Sequence, residues 1–106
     1  MSTYYFVAAS EAFLTVEEPL EEVLRERLRN YGEANKAIDF WLVRRPRFLE
    51  APELAAVAGS VPRPAAAVLS TDEKFITFLK LRLEFVARGR FEAPSATIPD
   101  ALAAMT

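Results

Sequence analysis

The apolar positions of this chain switch between two periods, and the switches mark its elements. Thr3 to Ala9 concentrates Tyr, Phe and Val between polar ends and predicts a strand. Ser10 to Glu18 predicts a connecting loop that carries the Phe13–Leu14 pair. From Glu18 or Pro19 the period becomes helical and stays so to about Asn35. Leu20, Leu24, Leu28 and Tyr31 recur at spacings of four, four and three, and Val23 widens the stripe. Glu21, Glu22, Arg25, Glu26 and Arg29 fill the outer side. Pro19 suits a first turn, where a missing N–H costs little, and Gly32 weakens the last one. Ile38 to Arg44 predicts the strongest strand, with Asp39 its one polar interruption before Pro46 ends regular pairing.

The second half repeats the scheme with weaker signals. Glu50 to Ala58 has a short helical pattern opened by Pro52 and stopped at Gly59–Ser60. Ala65 to Leu69 predicts a third strand, poor in propensity but suited to close packing beneath a helix. Ser70 with Glu73 reads as a capping box, and Asp72 adds a carboxylate to the first turn of a helix running to about Arg88, with Gly89 as the stop. Residues 92–106 are largely irregular. The order predicts an α+β fold: a single small domain over residues 1–106, with a mainly antiparallel or mixed β-sheet covered by helices.

Two charges break the pattern. On a helical wheel Glu73, Thr77, Lys80, Glu84 and Arg88 share a polar face, and Arg82 lies opposite, among Phe75, Phe78, Leu79 and Val86. A charge there snorkels, pairs with a carboxylate, or serves a surface that receives another protein. Strand alternation sets Asp39 with Trp41 and Val43, and Ile38, Phe40 and Leu42 on the other face. At the rim of the sheet Asp39 is merely solvated; if it is covered, Arg82 is the natural counter-charge. Phe40 and Trp41 face opposite sides and are both core residues if the sheet is covered twice. Leu81, Leu83 and Phe85 extend the apolar coverage of the last helix beyond what one small sheet absorbs, which points to a protein interface or a homodimer.

Composition narrows the chemistry. The chain has 106 residues, 52% of them hydrophobic and 26% charged, as expected of one ordered domain. It has no cysteine and no histidine, so thiolate chemistry and the commonest metal ligand and general base are absent. Ser10, Ser60, Ser70 and Ser95 have no histidine to activate them, and the three glycines form no phosphate loop. The expectation is a protein that is not an enzyme and carries no cofactor or metal. A net charge of −2 predicts no nucleic-acid partner, although Arg44, Arg45 and Arg47 form a short basic stretch. No apolar run approaches the length of a membrane span, and Met1 to Ser10 has neither signal-peptide nor transit-peptide character.

Six segments carry a resemblance: TYYFVAAS, EEPLEEVLRERLRNY, IDFWLVRRPRFLEAPELAA, PAAAVLSTD, FITFLKLRLEFV and FEAPSATIP, nearly collinear from Thr3 to about Pro99. In these the chain closely resembles the cyanobacterial and plastid cyclase accessory family, named from hypothetical chloroplast reading frame fifty-four. The resemblance implies a non-catalytic accessory or assembly factor for the oxygen-dependent magnesium-protoporphyrin IX monomethyl ester cyclase of chlorophyll biosynthesis. Its implied partner is the di-iron catalytic subunit of that enzyme, and Asp39, Phe40 and Arg82 match the positions implied in partner binding. The implied location is cytoplasmic and peripherally thylakoid-associated through the partner, or the chloroplast stroma and thylakoid surface for a plastid-encoded form. A porphyrin-pigment carrier or regulatory module is the alternative, with pigment associated directly or through the partner.

Overall fold

The computed structural model describes residues 1–105. Four strands, β1 (Ser2–Ser10), β2 (Phe40–Arg44), β3 (Ala65–Ser70) and β4 (Ala87–Ala93), form one sheet in the order β2-β3-β1-β4. Every neighbouring pair is antiparallel, with Phe6 opposite Leu69 of β3 and Gly89 of β4, and Trp41 opposite Leu69. Three helices, α1 (Leu20–Glu33), α2 (Ala55–Ala58) and α3 (Glu73–Leu83), cover it as an α+β domain.

Both faces of the sheet are covered, because the central strands are apolar on both faces through Phe6–Ala9 and Ala65–Leu69. All six residues of β3 are buried, and its run of alanines leaves room for helices to approach closely. On one face Val7, Ala66 and Val68 meet Leu20, Leu24 and Tyr31 of α1 and Phe75, Ile76, Leu79 and Leu83 of α3. On the other, Phe6, Ala8 and Leu69 meet Phe48, Leu49, Leu54 and Ala58. Phe6, Phe48 and Phe91 cluster there, with ring centroids 4.6 to 6.0 Å apart. The segment after β4 closes this layer: Ile98 and Ala101 are buried, and Arg47 donates its N–H to the carbonyl of Ala103 at 2.9 Å.

Several predicted elements shift. Ser10 to Glu18 is not a plain loop, because Phe13–Glu17 forms a π-helical turn that buries Leu14, with the Phe13 N–H held by Ser10 Oγ at 3.1 Å. The short helix divides into tight turns over Arg47–Glu50 and Pro52–Leu54 before α2. No capping box forms at Ser70: Asp72 caps α3, its Oδ1 accepting the Lys74 N–H at 3.0 Å, while Ser70 is the last, fully buried residue of β3.

The larger correction concerns the end of α3. The helix stops at Leu83 rather than Arg88, and residues 87–93, part of them assigned to that helix, form β4. Glu84 takes a φ of 59° and ψ of −57°, and the Phe85 N–H reaches the Leu83 carbonyl at 2.6 Å, a γ-turn of the positive-φ kind. Lys80 braces it, its Nζ donating to the carbonyls of Glu84 at 2.7 Å and Val86 at 2.8 Å. Gly89 is no helix stop; a Cβ there would sit 2.6 Å from the Cζ of Phe6, so the position must be bare for the ring to lie across β4.

Candidate functional site

Asp39 precedes β2, and its placement organises four elements. Its backbone carbonyl accepts from Ser70 Oγ at 2.7 Å and from the Thr71 N–H at 3.1 Å, which fastens the entry to β2 against the exit from β3. Its side chain does not follow Trp41 and Val43. Oδ1 accepts from the Tyr31 hydroxyl of α1 at 2.9 Å, on the face that also buries Phe40. Strand alternation does not govern Asp39, because the strand begins one residue later.

The counter-charge of this cluster is Arg27, which the sequence pattern did not single out. One Nη of Arg27 donates to Tyr31 Oη at 2.7 Å and to Asp72 Oδ2 at 3.3 Å. Its guanidinium carbon lies 3.8 Å from the ring centroid of Phe75, 4.9 Å from Tyr31 and 5.3 Å from Phe40. With 24% of its side chain exposed, Arg27 stacks on rings as much as it pairs, which suits a planar, weakly hydrated cation. Ser70 Oγ accepts the Asp72 N–H at 2.9 Å, so polar contacts run in a closed ring through Asp39, Tyr31, Arg27, Asp72 and Ser70. The Nε of Arg27 is buried without a hydrogen-bond partner among the described residues.

Phe40 is 5% exposed, set edge-on against Tyr31 at 5.2 Å and against Phe75 at 5.9 Å. It is a core residue that also floors a groove of about 430 Å³ between α1 and β2. Leu28 and Ile38 rise half-exposed from the groove walls, and β2 is an edge strand whose far side pairs with no other strand among the described residues. Glu21 borders the groove and, with Glu11, binds Arg44; these hydrogen bonds raise the Arg44 pKa further. Arg45 also pairs with Glu11, so Arg44 and Arg45 of the short basic stretch are engaged within the fold.

A second recess of about 480 Å³ lies between α1 and α3, lined by Glu26, Arg27, Asn30, Lys74 and Phe78 among others. Glu26 is held below the ordinary carboxylate range chiefly by its hydrogen bond from Arg29.

Arg82 stands apart from all of this. It is exposed near the C-terminal end of α3, and of the alternatives weighed for it the pairing with Asp39 does not form among the described residues. The buried arc of α3 is Phe75, Ile76, Leu79 and Leu83; at 3.6 residues per turn Arg82 lies about 70° from its centre, on the margin. Val86 was counted into that arc, but it lies beyond the helix end. The expected apolar surplus is present: Leu83 is buried, whereas Phe78, Leu81 and Phe85 are 51%, 74% and 82% exposed. Among the described residues no group of three or more carboxylates is placed to hold a metal ion.

Comparison with known proteins accounts for nearly the whole chain. The Ycf54 protein family model matches residues 2–93. A Ycf54-like protein of Synechocystis sp. is 56% identical over 105 residues, 99% of this chain and 79% of its own length. The ycf54 protein of the alga Pyropia yezoensis is 53% identical over 92 residues, 87% of this chain and 83% of its own. The solved structure of the Ycf54 protein from Synechocystis sp. PCC6803 superposes with a TM-score of 0.97 at 55% identity, covering 100% of this chain and 99% of that one.

Proposed function

Because the chain belongs to the Ycf54 family, we propose that it is a non-catalytic accessory protein of the oxygen-dependent magnesium-protoporphyrin IX monomethyl ester cyclase, acting by docking on the di-iron catalytic subunit. The observation that carries this reading is the groove between α1 and the free edge of β2. Phe40 floors it, Asp39 lies between its lining residues Ile38 and Phe40 in the chain, and Leu28 and Ile38 offer apolar side chains that the chain leaves half-uncovered. These are the surroundings of two of the three positions that the family resemblance implies. Fixed by Tyr31, Ser70 and Thr71, Asp39 holds the start of β2, and with it the groove, in one shape. A preorganised surface binds without paying the ordering cost of a loose one.

Arg82 contributes differently. Seven residues beyond Phe75, it lies about 10 Å further along α3, where a guanidinium with no ion pair among the described residues is available for a charge-assisted bond to a partner carboxylate. The protein then works at the membrane surface by virtue of its partner; no helix among the described residues is long and apolar enough to cross a membrane.

The test is affinity capture of the catalytic subunit by wild type, Arg82→Ala and Leu28→Glu, with thermal melts of all three. Both variants are expected to lose capture while keeping wild-type melts, since both positions are exposed. Full capture by both variants would sink the docking reading. Tight porphyrin binding by the isolated protein, with no capture of the subunit, would replace it with the pigment-carrier alternative.

A further inference from the structure

We propose that the outer face of α3, with the turn that follows it, is an interfacial anchor for a membrane surface bearing anionic lipid headgroups. Lys74, Phe78, Leu81 and Arg82 fall within about 100° of one another on the helix, an arc that holds two apolar side chains, two cations and no carboxylate. Among the described residues neither Lys74 nor Arg82 enters an ion pair. Phe85, in the turn past the helix end, is 82% exposed, matched only by Met1 among the large apolar side chains of the described residues. Its position is fixed, because the γ-turn at Glu84 and the two Lys80 hydrogen bonds hold the backbone on either side of it.

Charge is segregated to match. From Glu73 to Arg90 the chain carries five cations, Lys74, Lys80, Arg82, Arg88 and Arg90, against the carboxylates Glu73 and Glu84, although its net charge is −2. Glu73 lies on the flank towards β4, 3.9 Å from Arg88. Glu84 is the one carboxylate beside the tip, and Lys80 sits beneath it. The rest of the molecule is therefore net acidic, with Glu26 and Asp72 lining the recess beside Lys74 and Phe78, and an anionic surface favours the approach of α3 with its cations foremost.

Shape favours lipid over a second protein. An 11-residue helix is about 16 Å long, and its convex stripe alone offers less than the roughly 800 Å² a side of a stable protein interface. Apolar side chains projecting from a cationic helix surface suit the boundary between headgroups and acyl chains. Arg82, on the margin towards α1, is the side chain this face shares with the proposed docking surface; the remainder of the face is independent of that reading.

Sedimentation of the full chain, without any partner, with vesicles of phosphatidylglycerol and phosphatidylcholine tests the assignment. Binding is expected to the mixed vesicles and not to phosphatidylcholine alone, and to weaken as salt shortens the screening length. Lys74→Glu should lower it roughly 10-fold, and the double variant Leu81→Ser/Phe85→Ser should abolish it with an unchanged melt. No binding of wild type to the mixed vesicles overturns the proposal, as does wild-type binding by the double variant. Loss of cyclase-subunit capture by the double variant, with no vesicle binding by wild type, would assign the stripe to the protein partner instead.

Discussion

Around Asp39 polar groups answer one another across α1, β2, β3 and α3, and three aromatic rings pack about the one cation among them. Along the outer face of α3, Lys74 and Arg82 stand beside uncovered Phe78 and Leu81 with no ion pair among the described residues. Both regions show in the sequence as a charge among apolar neighbours. What separates them is whether another element brings a complementary group within hydrogen-bond reach. Where one does, the charge fastens the fold; where none does, it remains available to something outside the molecule.

Substitutions that damage the two regions should therefore differ in what they cost. The largest loss is expected for Phe40→Ala, which empties the space between Tyr31 and Phe75: about 3–5 kcal/mol in urea denaturation. A cost below about 1 kcal/mol would mean that Phe40 is not the core residue its burial indicates. Next comes Arg27→Ala at about 2 kcal/mol, through lost ring contacts and the bonds to Tyr31 and Asp72. Combined with Tyr31→Phe it should be non-additive in a double-mutant cycle, since both changes break the same ring. Additive costs would dissolve that ring into separate contacts. Arg82→Ala should change stability by less than about 0.5 kcal/mol. A cost comparable to that of Arg27→Ala would erase the contrast between the two regions.

How much of this was legible in the sequence follows from the range of the forces involved. The first two strands and α1 were readable because their apolar periods are local and strong, Tyr4 to Ala9, Leu20 to Tyr31, and Phe40 to Val43, and β3 because an apolar run of five lies between Pro64 and Ser70. β4 was not, because Arg88, Gly89 and Arg90 have no strand propensity. They pair because β1 offers a free edge and Phe6 needs a residue without a side chain opposite it. The turn at Glu84 was equally hidden, since a positive φ usually announces itself with glycine or asparagine. Asp39 was noticed, with Arg82 weighed as its counter-charge, but its side-chain partner is Tyr31, which Arg27 in turn holds. Arg27 lies 12 positions away on what reads as a charged helix surface, flanked by Glu26 and Arg29. One signal was available: Arg27 and Tyr31 stand four residues apart, hence on one face, and Tyr31 belongs to the apolar stripe. The apolar surplus was legible for Leu81 and Phe85, though not for the buried Leu83, because counting side chains against a small sheet needs no knowledge of register.

The position of β1 has a consequence in time. The first of the four strands along the chain lies inside the sheet, and both of its neighbours, β3 and β4, come from residues 65–93. A chain leaving the ribosome holds Phe6, Val7 and Ala8 without their final pairing until most of the remaining sequence has emerged. Pairing of β1 is thus delayed until residues 65–93 have emerged, as in other folds dominated by contacts distant along the chain. Truncation before Ala93 should leave an apolar strand with an open edge, the kind of species that chaperones retain and that self-associates when they do not.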